Sequence, residues 1–248
     1  MRFSKWARRL LLGLGAILVL SLAAFLIYFS QGYGPSPAAV AAMQSSESVN
    51  VTDTGDLVTL MPKSALKAGL VFYPGARVEA AAYAARLRPL AEQGYAVFIV
   101  NFPLNLAIFG TNRAGDVIAA NPDIKTWAVG GHSLGGAFAS AFLKSRTDIH
   151  GLILYASYPA GDLSQRTDLV AVSIYGTQDA LATVERIANA RPTLPPQTRY
   201  VAIEGGNHSY FGDYGMQTGD GIPSIPREEA ALQIVKATLA AMDEVASK

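Results

Sequence analysis

The sequence predicts an α/β domain, a mostly parallel twisted sheet with helices on both faces. Apolar runs without alternation recur at 68–73 (AGLVFY), 95–100 (YAVFIV), 151–155 (GLILY) and 169–175 (LVAVSIY). Such runs suit strands buried on both faces. Segments with helical spacing of apolar residues separate them, the alternation of a parallel sheet. Glycine-bearing turns and polar residues follow several of the runs, where open sheets of this kind place their ligands.

Taken in order, Leu57–Pro62 is a short strand, and 68–73 is the next, closed by Pro74-Gly75-Ala76. A helix follows over 79–93, with Ala82, Leu87, Leu90 and Ala91 as its inward stripe and Gly94 as its stop. The strand 95–100 ends at Asn101-Phe102-Pro103, and a weaker helix spans 112–120 before Asn121-Pro122. The strand 127–130 leads through glycines to a helix over 134–144. Beyond 151–155, the strand 169–175 ends at Gly176-Thr177-Gln178-Asp179, and a helix over 181–190 stops at Arg191-Pro192. The strand 198–203 ends at Glu204-Gly205-Gly206-Asn207-His208. A long helix over 227–245 turns Ala231, Ile234, Val235, Leu239 and Met242 inward.

The amino terminus is a separate physical object. Residues 1–9 carry Arg2, Lys5, Arg8 and Arg9 and no acid. Residues 10–29 contain no charge, and thirteen of them are Leu, Ile, Val or Phe. Twenty helical residues span about 30 Å, the hydrocarbon thickness of a bilayer. A cleaved signal peptide is the alternative, but its apolar region is shorter and ends in a small-x-small site. Here Ala23-Ala24 runs on into Phe25-Leu26-Ile27-Tyr28-Phe29, which favours a retained single-pass anchor. After Arg9 the next basic residue is Lys63. The positive-inside rule then places residues 1–9 in the cytoplasm and the folded domain on the other side. Residues 30–48 are rich in Gly, Pro, Ser and Ala and read as a linker, with the folded domain occupying 49–248.

Half of the 248 residues are apolar, ample for a core, and the net charge of +1 gives no field to attract nucleic acid. The chain has no cysteine, which excludes disulfides, thiolate metal sites and a cysteine nucleophile.

Gly131-His132-Ser133-Leu134-Gly135 fits G-x-S-x-G, a strand-turn-helix elbow that exposes one serine hydroxyl. A serine needs an adjacent imidazole base, itself held by a carboxylate. The chain has three histidines. His150 precedes a strand, at the wrong end of the sheet. His132 adjoins Ser133 and is expected to point away from it across the turn. His208 follows a strand end, after a candidate acid. That acid is Asp179, with Asp162 as the alternative, although Asp179 could equally cap the helix behind it. Backbone N–H groups of Leu134 and Ala76 are the expected oxyanion donors, with Gly75 as second choice for the latter. Tyr73, Phe102, Tyr155, Tyr158, Tyr210 and Phe211 lie near strand ends and could line a substrate pocket. Gly75, Phe102 and Tyr210 are the expected substrate-binding residues.

The order YPGA, GGHSLGG, GTQD, GGNH resembles the α/β-hydrolase superfamily over about 57–245. It looks closest to compact bacterial domains of the "alpha/beta hydrolase 5" type, with a PG turn in place of the more common HG. The resemblance implies a serine hydrolase acting on small-molecule carboxylic esters through Ser133, His208 and Asp179, with no metal or organic cofactor. Thioester, lactone or peptide cleavage by the same triad, or a catalytically silent binding domain, are the alternatives. Only 157–167 separate the strands at 151–155 and 169–175, which leaves no room for a large cap. The site is then expected to be open, or covered only by short loops such as 103–113.

Overall fold

The computed structural model describes residues 4–248; Met1, Arg2 and Phe3, and with them one basic residue of the amino-terminal segment, lie outside the described residues. Eight strands form one sheet: β1 (Val49–Asp53), β2 (Leu57–Pro62), β3 (Ala68–Tyr73), β4 (Tyr95–Val100), β5 (Trp127–His132), β6 (Gly151–Tyr155), β7 (Val170–Gly176) and β8 (Arg199–Ile203). Their order is β1-β2-β4-β3-β5-β6-β7-β8. The pairs β1–β2 and β2–β4 are antiparallel, and every pair from β4 to β8 is parallel. The helices are α1 (Lys5–Ser30), α2 (Pro37–Ala42), α3 (Ala84–Glu92), α4 (Arg113–Ala120), α5 (Leu134–Phe142), α6 (Val184–Ala190) and α7 (Arg227–Ala246).

The central strands are buried along their whole length because both faces are covered. Alternate residues of β3 divide between two cores. Leu70 and Phe72 pack with α3 and α7, while Val71 and Tyr73 pack with α4 and α5. Each such fully buried apolar side chain contributes about 1.5–3 kcal/mol, so β3 alone anchors both layers.

Three features depart from the sequence reading. The linker is not a free tether. Tyr33 bridges to Val78 in parallel, Ser36 Oγ donates to Asp213 at 2.9 Å, and α2 packs on α3 with Ala39 fully buried. Ser36 accepts from Ala39 N–H and Pro37 follows it, the signature of a helix start. Six residues are too few to show an amphipathic period. The helix expected from 181 begins only at Val184, with Thr183 as its cap. The preceding turn is held instead by the Asp179 carboxylate, which accepts from the N–H groups of Leu181 and Ala182. Finally β1 adds an edge strand whose mixed sequence, VNVTD, carries little strand pattern.

Among the described residues, α1 is the one helix long and apolar enough to cross a membrane, and it projects from the domain with its apolar side chains exposed.

Candidate active site

Strand β5 ends at His132, α5 begins at Leu134, and Ser133 between them has φ 51° and ψ −125°. A non-glycine residue held there stores about 1–3 kcal/mol of strain, so the surroundings must enforce it. Ser133 N–H donates to the Tyr155 carbonyl at 2.9 Å, and its own carbonyl accepts from Ser157 Oγ at 2.7 Å. Gly135 lies so close to the backbone of the β3 turn that a Cβ there would overlap the Tyr73 and Pro74 carbonyl oxygens. The hydroxyl is thus presented at the carboxyl edge of the sheet.

Strand β7 carries Asp179 and β8 carries His208 to the same edge. Asp179 Oδ2 lies 2.7 Å from His208 Nδ1, and both side chains are buried. Asp179 Oδ1 accepts from Leu181 and Ala182 N–H, each at 2.7 Å. Asp179 therefore does not cap α6, whose cap is Thr183; one carboxylate holds the preceding turn and the His208 ring together. His208 Nε2 is buried and has no hydrogen-bond partner. The loop carrying His208 is fixed by Asp220, which accepts from the N–H groups of His208, Ser209 and Gly221 and from Ser209 Oγ. Asp162, the alternative acid, is exposed and accepts from Ser164 N–H, and among the described residues it bonds no histidine.

His132 does not lie idle across the turn. Its ring centroid is 4.4 Å from that of His208, and it stacks on Phe211 at 6.0 Å. Gly75 N–H donates to Tyr83 Oη at 2.9 Å, and Tyr83 Oη lies 2.8 Å from His132 Nδ1. Tyr83 Oη thus bridges Gly75 N–H and His132 Nδ1. Burial first, then the neighbouring His208, push His132 well below the ordinary imidazole value, so it stays neutral. Burial pushes the Tyr83 hydroxyl far up. His150 sits at the amino end of β6, as expected.

A cleft of about 250 Å³ opens beside Ser133. It is lined by Leu134 and Ala137 of α5, by Ala156, Ser157 and Tyr158 after β6, and by Leu181, Ala182 and Arg186 after β7. Among the described residues, neither Leu134 N–H nor Ala76 N–H has a hydrogen-bond partner. Gly75 N–H is taken by Tyr83, and the glycine is required because a Cβ would stand 2.7 Å from His132 Nδ1. Gly75 is therefore not a free donor or a contact surface.

Of the six aromatic candidates, Tyr158 alone lines this cleft. Phe102 meets Tyr73 edge-to-face at 4.8 Å and borders a separate depression with Asp56, Asn101 and Arg113. The reason is strand order: β3 lies between β4 and β5. Tyr210 is half-buried against the core beneath Arg227 and does not line the cleft, because a 3₁₀ turn over His208–Phe211 puts only residues three apart on one side. Tyr73 Oη accepts from Ala114 N–H and donates to the Thr111 carbonyl. Tyr155 bonds Thr238, and Phe211 supports His132, so all three are packing residues. Tyr83, Ser157, Arg186 and Asp220 carry no signal in the sequence, and His132 is read there only as a residue pointing away from Ser133. Among the described residues, no cluster of three or more His, Asp or Glu forms a metal site.

A family model described as "Alpha/beta hydrolase family" matches residues 69–232. Among solved structures, TT1662 from Thermus thermophilus superposes with a TM-score of 0.61 at 14% identity, over 81% of this chain and 99% of that one. At that identity the likeness speaks for the fold. No curated protein matches the chain.

Proposed function

Because the chain belongs to the alpha/beta hydrolase family, we propose that it is a serine hydrolase of carboxylic esters, with Ser133 as nucleophile, His208 as base and Asp179 as orienting acid. The observation that carries the reading is the state of His208. Its Nδ1 is held by a carboxylate that two backbone N–H groups fix in place, while Nε2 is buried and free, on the same carboxyl edge of the sheet as the strained Ser133. Ser133 Oγ makes no hydrogen bond to that nitrogen among the described residues; in this reading the contact forms when substrate binds.

Oγ then attacks the acyl carbon as Nε2 takes its proton. The oxyanion is stabilised by Leu134 N–H, at the positive end of α5, and by Ala76 N–H. The C–O bond breaks, Nε2–H protonates the departing alkoxide, and an acyl-Ser133 remains. Water, deprotonated by Nε2, attacks the acyl carbon, and Oγ leaves with the proton. The carboxylic acid is released and no other reactant is needed. Helix α1 serves as a retained anchor, with residues 1–9 in the cytoplasm and the domain outside, as its length and the confinement of positive charge to one end support.

The test uses the full chain in detergent, a fluorophosphonate probe and a series of p-nitrophenyl esters. Covalent labelling and turnover are expected, and Ser133→Ala abolishes both. Labelling of Ser133→Ala at the parent rate would rule out this nucleophile.

A further inference from the structure

The carboxyl end of α1 is docked beside the turn that carries Ala76. Arg77 Nη2 donates to the Gln31 carbonyl at 2.7 Å, and its guanidinium lies over the Tyr28 ring at 3.9 Å. Tyr33 N–H donates to the Arg77 carbonyl at 2.6 Å, and Tyr33 Oη accepts from Thr218 N–H in the loop after His208. Helix α1 also packs against the turn Pro103–Asn105. It therefore leaves the domain among the segments that follow β3, β4 and β8, all at the carboxyl edge of the sheet. Tyr28 stands where an interfacial aromatic belongs. Between Ser30 and Tyr33 there is no slack: three residues reach at most about 10 Å.

That edge is also the apolar one. Ten large apolar side chains are exposed on the folded domain among the described residues. Seven of them lie in segments leaving the carboxyl ends of strands, among them Ile108, Phe109, Leu134, Tyr158, Met216 and Ile222. Ile222 is 86% exposed. The opposite edge exposes one large apolar residue, Leu66, among charged turns with Lys125, the pair Arg146–Asp148 and the pair Arg166–Asp168. Single exposed apolar residues need no cause, but a set gathered on one edge beside a membrane-spanning helix does.

We propose that the mouth of the Ser133 cleft faces the outer leaflet of the membrane that α1 crosses, and that the substrate is an acyl-ester amphiphile dissolved in that leaflet. The proposal rests on the reading of α1 as a retained anchor and of Ser133 as nucleophile. The docked α1 fixes the height of the cleft at the interface, so substrate arrives by lateral diffusion at high effective concentration. Apolar rim residues sink into the headgroup boundary and exclude water, which removes the need for a mobile cap.

The chain has no cysteine, so Phe109→Cys, Ile222→Cys and, on the opposite edge, Lys125→Cys each give one labelling site in the full chain. Reconstituted in phosphatidylcholine–phosphatidylglycerol vesicles, an environment-sensitive fluorophore at 109 and 222 should be quenched by doxyl lipid, and one at 125 should not. Equal quenching at all three sites overturns the orientation, provided that the protein floats with vesicles in alkaline carbonate. Failure to float defeats the anchor, and the proposal with it. As the activity arm, Phe109→Glu with Ile222→Glu should slow hydrolysis of a long-chain umbelliferyl ester dissolved in the bilayer about tenfold. Hydrolysis of p-nitrophenyl acetate from water should stay within about twofold. Parallel loss of both activities, or of neither, overturns the substrate class. If the parent hydrolyses neither ester, the hydrolase reading fails, and the fluorescence still decides the orientation.

Discussion

Replacing Asp179 with Asn changes one atom and, by the geometry of the site, the tautomer of the base. Oδ1 accepts two backbone N–H groups at 2.7 Å, from Leu181 and Ala182. An amide NH₂ turned toward them would set donors against donors, so the Asn oxygen stays there and the NH₂ faces His208 Nδ1. That nitrogen is 2.7 Å away, and it must become the acceptor. The ring proton then moves to Nε2, where it blocks uptake of the Ser133 proton. Loss of a correctly held base costs about 10³–10⁴ in kcat, equivalent to about 4–5.5 kcal/mol of transition-state stabilisation. The loop keeps its two backbone bonds, so folding stability should fall by only about 1 kcal/mol. The assay is kcat and KM on a soluble p-nitrophenyl ester, with the rate of fluorophosphonate labelling and a thermal melt of the full chain in detergent. Expected are a collapsed kcat, a labelling rate that falls with it and a near-parental KM and melt. A folded Asp179→Asn protein whose kcat lies within tenfold of the parent would refute the assignment of the acid.

Gly135→Ala drives a Cβ into the Tyr73 and Pro74 carbonyl oxygens and should cost about 3 kcal/mol, read as a fall in the denaturation midpoint with loss of probe labelling. Asp220→Ala strands the N–H groups of His208 and Ser209. It should cost about 2 kcal/mol and lower kcat more than it raises KM, because it loosens the base and not the cleft. The folded state keeps His132 neutral, with a value well below the ordinary 6.5. Below pH 6.5 the unfolded chain binds a proton there that the folded chain refuses, so stability rises with pH through this window and is lost as pH falls. The slope from this one group is at most about 1.4 kcal/mol per pH unit. His132→Gln, which still offers Tyr83 an acceptor, should flatten it in denaturant titrations from pH 5 to 7.

What was legible in the sequence is what a local pattern can carry. The runs 68–73, 95–100 and 151–155 became β3, β4 and β6 at the expected residues, because a strand covered on both faces has no polar face to hide its pattern. The relation of Asp179 to His208 was legible for a similar reason: both follow strand ends, and parallel strands deliver their ends to one edge. The residues lining the cleft were not legible, because they depend on which strands are neighbours. Strand β5 lies between β3 and β6, so Ala156–Tyr158 reach Ser133 and Phe102 does not. In the same way, nothing local to QGYGPSPAAV says that Tyr33 will pair with Val78 some forty residues away.

His132 shows most clearly what sequence adjacency hides. In an elbow, the residue before the nucleophile is still a strand residue, and its side chain points into whichever layer covers that face of the sheet. Here that layer holds Tyr83, Phe211 and His208. Two imidazoles with centroids 4.4 Å apart in a buried site cannot both carry charge cheaply. Burial keeps His132 neutral, and its Nδ1 is tied to the Tyr83 hydroxyl. The same hydroxyl accepts from Gly75 N–H. Gly75 precedes Ala76, so one buried chain of contacts runs from the turn offering the oxyanion donor, through Tyr83 and His132, to the face of the proposed base. The proposed base and the proposed oxyanion turn are thus tied to the same few buried groups, and helix α1 is fastened at Arg77, the next residue of that turn.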